Sequence, residues 1–408
     1  MNKNIFLISK QPGAAGILAC RFGQISDGFS IPRARSVKEG RTGEKMARKR
    51  SIKANLFSLL GYGIALLLTG CAPKIERELT PVSFSSLPGW EEDKQLLALP
   101  ALHKSCQVIL KKSPGAPMVT QADGSGRAGD WFGFCKKLQS NNFKSHKQLR
   151  GFLETHISPY QIAASGNTEG VFTGYYEPIL NGSLRRHGKY QTPLYKMPGK
   201  GINYKIPRSR IVKGALKGRG LELVWVDDPV EAFFLQVQGS GRIRLDNGRE
   251  IKLGYAGQNG YPYFPIGKAL LDKGALQHGH VTMQSIKKWL HAHPRQAESI
   301  MSQNQSYVFF KINNTPGGPI GSHGVPLTPH RSMAIDRSFI SLGTPVWLHA
   351  THPDHHKPYL KKLMVAQDTG GAIKGAVRGD YFWGSGSAAA TYAGAMNAKG
   401  HLYVLLPR

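Results

Sequence analysis

Ala366-Gln367-Asp368-Thr369-Gly370-Gly371-Ala372-Ile373-Lys374-Gly375, followed after two residues by Arg378-Gly379-Asp380-Tyr381-Phe382-Trp383-Gly384, decides how the chain is read. Each part sets an aspartate where an apolar, strand-like run meets glycine. Glycine has no Cβ, so backbone can approach such a carboxylate closely. A third aspartate lies upstream in Ala334-Ile335-Asp336-Arg337-Ser338. One aspartate in such a setting reads as a turn cap that accepts from nearby backbone N–H groups. Three of them between 336 and 380 point instead to a carboxylate cluster facing a cleft.

Outward from this stretch the pattern is mostly strand. Short β-branched and aromatic runs recur at Phe339–Leu342, Val346–Leu348, Leu363–Ala366 and Leu402–Leu406. Upstream lie Val171–Pro178, Leu221–Val226, Glu231–Gln238 and Tyr307–Phe310. Arg242–Leu245, then Asp246-Asn247-Gly248, then Arg249–Leu253 reads as a hairpin, because Asn-Gly supplies the positive φ values of a tight turn. Helical spacing appears at Leu102, Cys106, Ile109 and Leu110, and again at Leu149, Phe152, Leu153 and His156. Thr282 is placed to cap a short helix carrying Ile286, Trp289 and Leu290, with Pro294 at its end. With 48 Gly and 25 Pro in 408 residues, this punctuation favours β-barrels. The composition excludes a coiled coil, a largely disordered chain and a polytopic membrane protein.

The amino-terminal end is not part of that fold. Met46-Ala47-Arg48-Lys49-Arg50 precedes an apolar run, Leu56 to Leu68, that ends Leu68-Thr69-Gly70-Cys71. This is the order of an export signal, and the run is short for a membrane span. The last four residues resemble a bacterial lipobox, which implies that Cys71 is acylated and that residues 1–70 are a leader with a true start at Met46. Such a chain is held on a membrane without crossing it. With no Asp after the cysteine, the resemblance implies the outer membrane, facing the periplasm. Residues 1–70 carry 12 Lys and Arg against 3 Asp and Glu, so the remaining 338 keep +20 of the formal +29. A surface this basic gathers polyanions. Anionic cell-wall polymers suit an exported protein, and nucleic acid does not. Cys106 and Cys135 remain as an even pair in an oxidising compartment, to be read as a disulfide or as two buried thiols.

Several long motifs then occur in one order. Thr173-Gly174-Tyr175-Tyr176-Glu177-Pro178, Phe234-Leu235-Gln236-Val237-Gln238-Gly239-Ser240-Gly241 and Gly254-Tyr255-Ala256-Gly257-Gln258-Asn259-Gly260-Tyr261-Pro262-Tyr263 precede the three aspartate motifs. Together they resemble the membrane-bound lytic murein transglycosylase A family with its carboxyl-terminal three-aspartate domain. The resemblance implies a mainly β chain: a double-psi β-barrel from residues 94–172 and 313–408 with amino-terminal helices, and a second β-barrel domain inserted at 173–312. Residues 71–93, with three prolines, are expected as a tether.

The resemblance also implies cleavage of the MurNAc–GlcNAc β-1,4 bond of peptidoglycan, exolytic or endolytic, leaving a 1,6-anhydro end. The family's acid falls on Asp380, with Asp368 and Asp336 as supporting carboxylates. Burial beside Tyr381, Phe382 and Trp383 is expected to keep that acid protonated near neutral pH. Thr173, Tyr175, Gln236, Gln238, Ser240, Tyr255, Asn259 and Tyr261 are candidates for the groove wall. The implied partners are glycan strands, the membrane through the lipid anchor, and cell-wall synthesis proteins. No cofactor is expected.

Other readings stay weaker. A binding module without activity is one alternative, because barrels of this kind also bind glycans. Asp368-Thr369-Gly370 resembles an aspartic-peptidase loop, but one copy would require a symmetric dimer to bring two carboxyls together. His349, His352, His355 and His356 beside Asp354 read as a solvated loop rather than a zinc site. Gly384-Ser385-Gly386 lacks the βαβ context of a dinucleotide turn.

Overall fold

The computed structural model describes residues 4–5, 77–118 and 126–408. The leader, Met46 and the lipobox at Cys71 lie outside the described residues. The chain first lays down β1 (Arg77–Pro81), α1 (Leu99–Ile109), α2 (Phe132–Ser140), α3 (His146–His156), β2 (Ile157–Ala164) and β3 (Gly170–Glu177). An inserted stretch then carries β4 (Ile179–Ser183), β5 (Thr192–Tyr195), β6 (Glu222–Val226), α4 (Pro229–Gln238), β7 (Gly241–Leu245) and β8 (Glu250–Gln258). It continues through α5 (Ile266–Asp272), α6 (Met283–Ala292), α7 (Pro294–Gln303) and β9 (Val308–Ile312). The rest is β10 (Ser332–Ile335), β11 (Pro345–Ala350), β12 (Leu360–Asp368), β13 (Arg378–Ser385), α8 (Ser387–Ala395) and β14 (Asn397–Pro407).

Eight strands form the first sheet, in the order β11-β12-β10-β13-β3-β14-β2-β1. β11 also pairs with β14, which closes six of them into a barrel and leaves β2 and β1 on its flank. Closure removes the exposed edges that an open sheet would leave. Two of its pairs are parallel, β10 with β12 and β13 with β3. Such pairs need long crossovers, and the chain from β3 to β13 supplies one by carrying the whole inserted stretch and β10 to β12. The second sheet has the order β9-β8-β7-β4-β6-β5, with an added bridge from Lys196 to Phe310.

Three helices cover one face of the barrel. Leu102, Cys106 and Ile109 of α1 meet Leu149 and Leu153 of α3 and Trp347, Leu363 and Leu405 of the sheet. Cys106 and Cys135 are disulfide-bonded and join α1 to α2 within this cluster. In α6, Thr282 accepts at 3.1 Å from the Ser285 amide, and Pro294 opens the next helix.

The structure corrects three local expectations. Glu231–Gln238 is not a strand but most of α4. Asp228 caps that helix by accepting from the Val230 and Glu231 amides, Pro229 opens it, and Gly239 at φ +80° ends it. The helix is buried on two sides, between Phe233 and Phe234 on one and Ala232 and Leu235 on the other, and only Pro229 and Glu231 reach solvent on its first turn. With so small a polar face its amphipathic period is weak, so its β-like composition misleads. Phe339–Leu342 is a turn, in which the Phe339 and Ile340 amides both donate to the Asp336 carbonyl. Residues 77–93, expected within a tether, are folded: β1 pairs with β2, and Trp90 is 2% exposed.

Candidate active site

A groove of about 820 Å³ is lined from both sheets. The barrel contributes Thr173, Tyr175, Asp368, Thr369 and Asp380. The end of α4 contributes Gln236, Gln238 and Ser240, and the inserted sheet contributes Tyr255 and Lys311.

Strand periodicity fixes the floor. β13 runs parallel to β3 with Asp380 opposite Thr173 and Phe382 opposite Tyr175. Residues two apart share a face, so these four lie on one side of the sheet; Thr173, Tyr175 and Asp380 line the groove, and Phe382 is buried beside them. The Tyr175 and Phe382 ring centroids are 5.1 Å apart. Tyr381 and Trp383 occupy the opposite face and belong to the core. Of the three aromatics expected to desolvate Asp380, only Phe382 therefore lies on its side.

Thr173 Oγ1 donates to Asp380 Oδ1 at 2.7 Å. Burial pushes the Asp380 carboxyl up to about 6, opposed by the Arg378 charge and the Thr173 bond, while the Asp368 charge adds to the rise. Asp380 keeps one side open to the groove, yet protein encloses it elsewhere, so desolvation dominates. Asp368 differs: its Oδ1 accepts from the Ser322 amide, the Ser322 hydroxyl and the Thr369 amide, each at 2.9 Å. Burial raises its pKa too, but these donors favour the charged form and limit the rise. The Tyr175 hydroxyl is buried without a completed hydrogen bond. Burial first, and then the charges of Asp368 and Asp380, hold it well above its ordinary pKa, so it stays a neutral donor. The floor thus pairs Asp368, whose Oδ1 is held by three donors, with a carboxyl that can give up a proton near pH 6.

Asp336 is not brought into the groove. It is 6% exposed, and its oxygens accept from the Ser338 and Gly375 amides at 3.1 and 3.0 Å. It ties down the loop after Asp368, which is the turn-capping role of an aspartate. Asn259 is also structural: its amide donates at 2.8 Å to the Ile206 and Gln305 carbonyls and accepts from the Tyr307 amide. Tyr261 is half-buried and does not line the groove. Gln238 lines it while accepting from the Tyr176 amide at 3.0 Å. Gln236 is 6% exposed, and its Oε1 is buried without a partner.

Sequence reasoning missed Arg208, Ser322, Lys311 and Tyr263, all of which line the groove. Arg208 is 3% exposed and donates to the Asn304 and Ser306 carbonyls at 2.9 and 2.6 Å, with Phe233 and Tyr307 beneath its guanidinium. Burial pulls it down to about 10, so it remains charged at neutral pH. Nothing in the sequence around Arg208 marks it, because its partners lie about a hundred residues away. Among the described residues no group of His, Cys, Asp and Glu could hold a metal ion.

Residues 171–311 match the family described as the MltA specific insert domain, and residues 331–406 match the 3D domain. The membrane-bound lytic murein transglycosylase A of Escherichia coli K12 is 36% identical over 265 residues, covering 63% of this chain and 71% of that protein. The enzyme of the same name from Vibrio cholerae is 32% identical over 222 residues, covering 51% of this chain and 58% of that protein. Among solved structures, a membrane-bound lytic murein transglycosylase from Agrobacterium tumefaciens superposes with a TM-score of 0.73 at 32% identity, covering 81% of this chain and 98% of that one. The Escherichia coli MltA with bound chitohexaose gives 0.61 at 28% identity, covering 81% and 91%. With both domains matched in order and relatives aligned over most of their length, the chain belongs to the membrane-bound lytic murein transglycosylase A family and is a peptidoglycan lyase.

Proposed function

We propose that the enzyme cleaves the MurNAc–GlcNAc β-1,4 bond without water, with Asp380 as the one acid and base. Protonated Asp380 gives its proton to the glycosidic oxygen as the C1–O bond breaks. The resulting carboxylate takes the proton of the C6 hydroxyl as O6 bonds to C1. The product is a 1,6-anhydro end, and the acid is regenerated. The nucleophile belongs to the substrate, so its attack is intramolecular and gains from proximity. Hydrolases that use two carboxyls need the second as nucleophile or to activate water. The observation that carries this reading is the unequal pair on the groove floor: Asp380 is lifted to about 6, while Asp368 is held by three donors. Charged Asp368 supports the acid by raising its pKa and by facing an oxocarbenium-like transition state.

Tyr175, Gln236, Gln238, Ser240 and Tyr255 would bind the glycan, with Thr173 beside them holding the acid. Aromatic faces and amides suit sugar rings and N-acetyl groups, and the chitohexaose bound to the Escherichia coli relative supports a glycan strand as ligand. The division into a barrel and an insert at 173–312, the acylation of Cys71, the outer-membrane position and docking to synthesis proteins belong to the same reading. Among the described residues no helix is long and apolar enough to cross a membrane.

The test is mass analysis of soluble products from purified murein. Anhydro products are one water lighter than hydrolytic ones. Reducing ends from the wild-type chain, or full activity in Asp380→Asn, would sink the proposal.

A further inference from the structure

Arg378, Asp380 and Phe382 lie on one face of β13, each two residues from the next. An arginine so placed would ordinarily pair with the aspartate. Here no ion pair forms between them among the described residues. Arg378 Nη2 instead donates to Thr173 Oγ1 at 2.9 Å, and Thr173 Oγ1 donates to Asp380 Oδ1 at 2.7 Å. Arg378 Nη1 is anchored on the carbonyls of Val171 at 3.1 Å and of Gly379.

The order of donors in this chain of bonds follows from charge. Guanidinium has no acceptor, and a threonine hydroxyl has one proton and two lone pairs. A cation donating to one lone pair makes the Thr173 oxygen a poorer acceptor and its proton a better donor, which directs that proton to Oδ1 of Asp380. With Oδ1 accepting, the acid proton is favoured on Oδ2. Among the described residues no donor reaches Oδ2, and Asp380 lines the groove.

We infer that Arg378 is a positioning residue: through the single proton of Thr173 it assigns the acid proton to the Asp380 oxygen that faces the sugar. Without it the Thr173 hydroxyl can rotate and accept from a protonated Oδ1, which leaves the acid proton turned away from the substrate. The inference rests on Asp380 being the acid.

The experiment measures kcat, KM and pH profiles on purified sacculi for the full chain and for Arg378→Gln, Arg378→Lys, Thr173→Val, Thr173→Ser and the double variant Arg378→Gln/Thr173→Val. Rates are compared well below pH 6, where Asp380 is protonated throughout, and folding is checked by thermal melting. Arg378→Gln and Thr173→Val should each lower kcat about tenfold with little change in KM. Thr173→Ser should restore most of the rate, and Arg378→Lys, with its charge but no fork, should lose rate while keeping the pH limb. The double variant should be no slower than Thr173→Val alone, since the relay is already cut.

Losses that multiply in the double variant, or a wild-type kcat in Arg378→Gln, would overturn the inference. A variant that fails to melt cooperatively is replaced by Arg378→Lys or Thr173→Ala, paired as before; the double should again be no slower than the Thr173 variant alone, and losses that multiply are equally fatal. Asp380→Asn, assayed alongside, separates the two ideas: if it retains activity, the acid assignment has failed whatever Arg378 does.

Discussion

Thr173 and Asp380 sit opposite each other on neighbouring parallel strands and share a 2.7 Å hydrogen bond. The two strands are distant in sequence, β3 preceding the inserted stretch and β13 following it. The proposed acid therefore meets its hydrogen-bond partner only when the barrel has closed. Gly174 lets the strands pack this way: a Cβ there would lie 2.6 Å from Trp383 Nε1 and 2.8 Å from the Ala393 backbone.

Replacing Asp380 by Asn should lower turnover by a factor of roughly 10² to 10⁴, the usual worth of a positioned proton donor. It should also stabilise the fold at pH 7. The folded pKa is raised, from 3.8 to about 6, so stability from this group is full below pH 4 and is lost as pH rises through 6. Asn removes that penalty, with a gain of about 1–3 kcal/mol at pH 7 that vanishes toward pH 4. Denaturant melts of both proteins at the two pH values measure it, and an Asn variant less stable at pH 7 contradicts the burial argument.

The same shift sets the pH–rate profile. In the proposed mechanism the reaction begins from protonated Asp380, so kcat/KM should fall tenfold per unit above a limb near pH 6. A limb near 4, where an unperturbed aspartate titrates, would show that burial does not tune the acid.

Asp368→Asn removes a negative charge that lifts Asp380. The limb should move to lower pH, and activity at pH 7 should drop by more than the limb shift accounts for, because the Ser322 and Thr369 contacts also weaken. Asp336→Asn is the control. Among the described residues its oxygens accept from the Ser338 and Gly375 amides, away from the groove, so it should lower the melting temperature and leave the limb where it is. An Asp336 variant that moves the limb as far as the Asp368 variant would restore it to the site.

The groove floor was legible because glycine-flanked aspartates at strand ends are a local signal. Strand alternation places Phe382 with Asp380 and sends Tyr381 and Trp383 to the core, which the expectation of all three beside the acid overlooked. The α4 boundaries were equally written in the chain, as Asp228-Pro229 before the helix and Gly239 after it, but a helix with so small a polar face hides its period behind β-branched and aromatic composition. Arg208 and Asn259 could not be read locally. One lines the groove and the other braces loops, and the difference depends on backbone carbonyls and amides that only the folded insert brings together.

The folding of residues 77–93 against the barrel carries a prediction about stability. Asp93 is buried, and its oxygens accept from Arg331 Nη1 at 2.6 Å, from Arg331 Nη2 at 3.0 Å and from the Leu363 amide at 3.0 Å. Arg331 immediately precedes β10, so this fork clamps the amino-terminal segment to the barrel. Removing one member of a buried pair leaves the other charge uncompensated, at a cost of about 3–5 kcal/mol. Asp93→Ala should lose that much in urea unfolding while the folded fraction keeps its turnover, because neither residue lines the groove. Replacing both partners by apolar residues, Asp93→Leu with Arg331→Met, should recover much of the loss, since no charge is then stranded. If Asp93→Ala unfolds at the wild-type urea concentration, the segment behaves as the tether its prolines suggested, and the clamp contributes nothing to holding it.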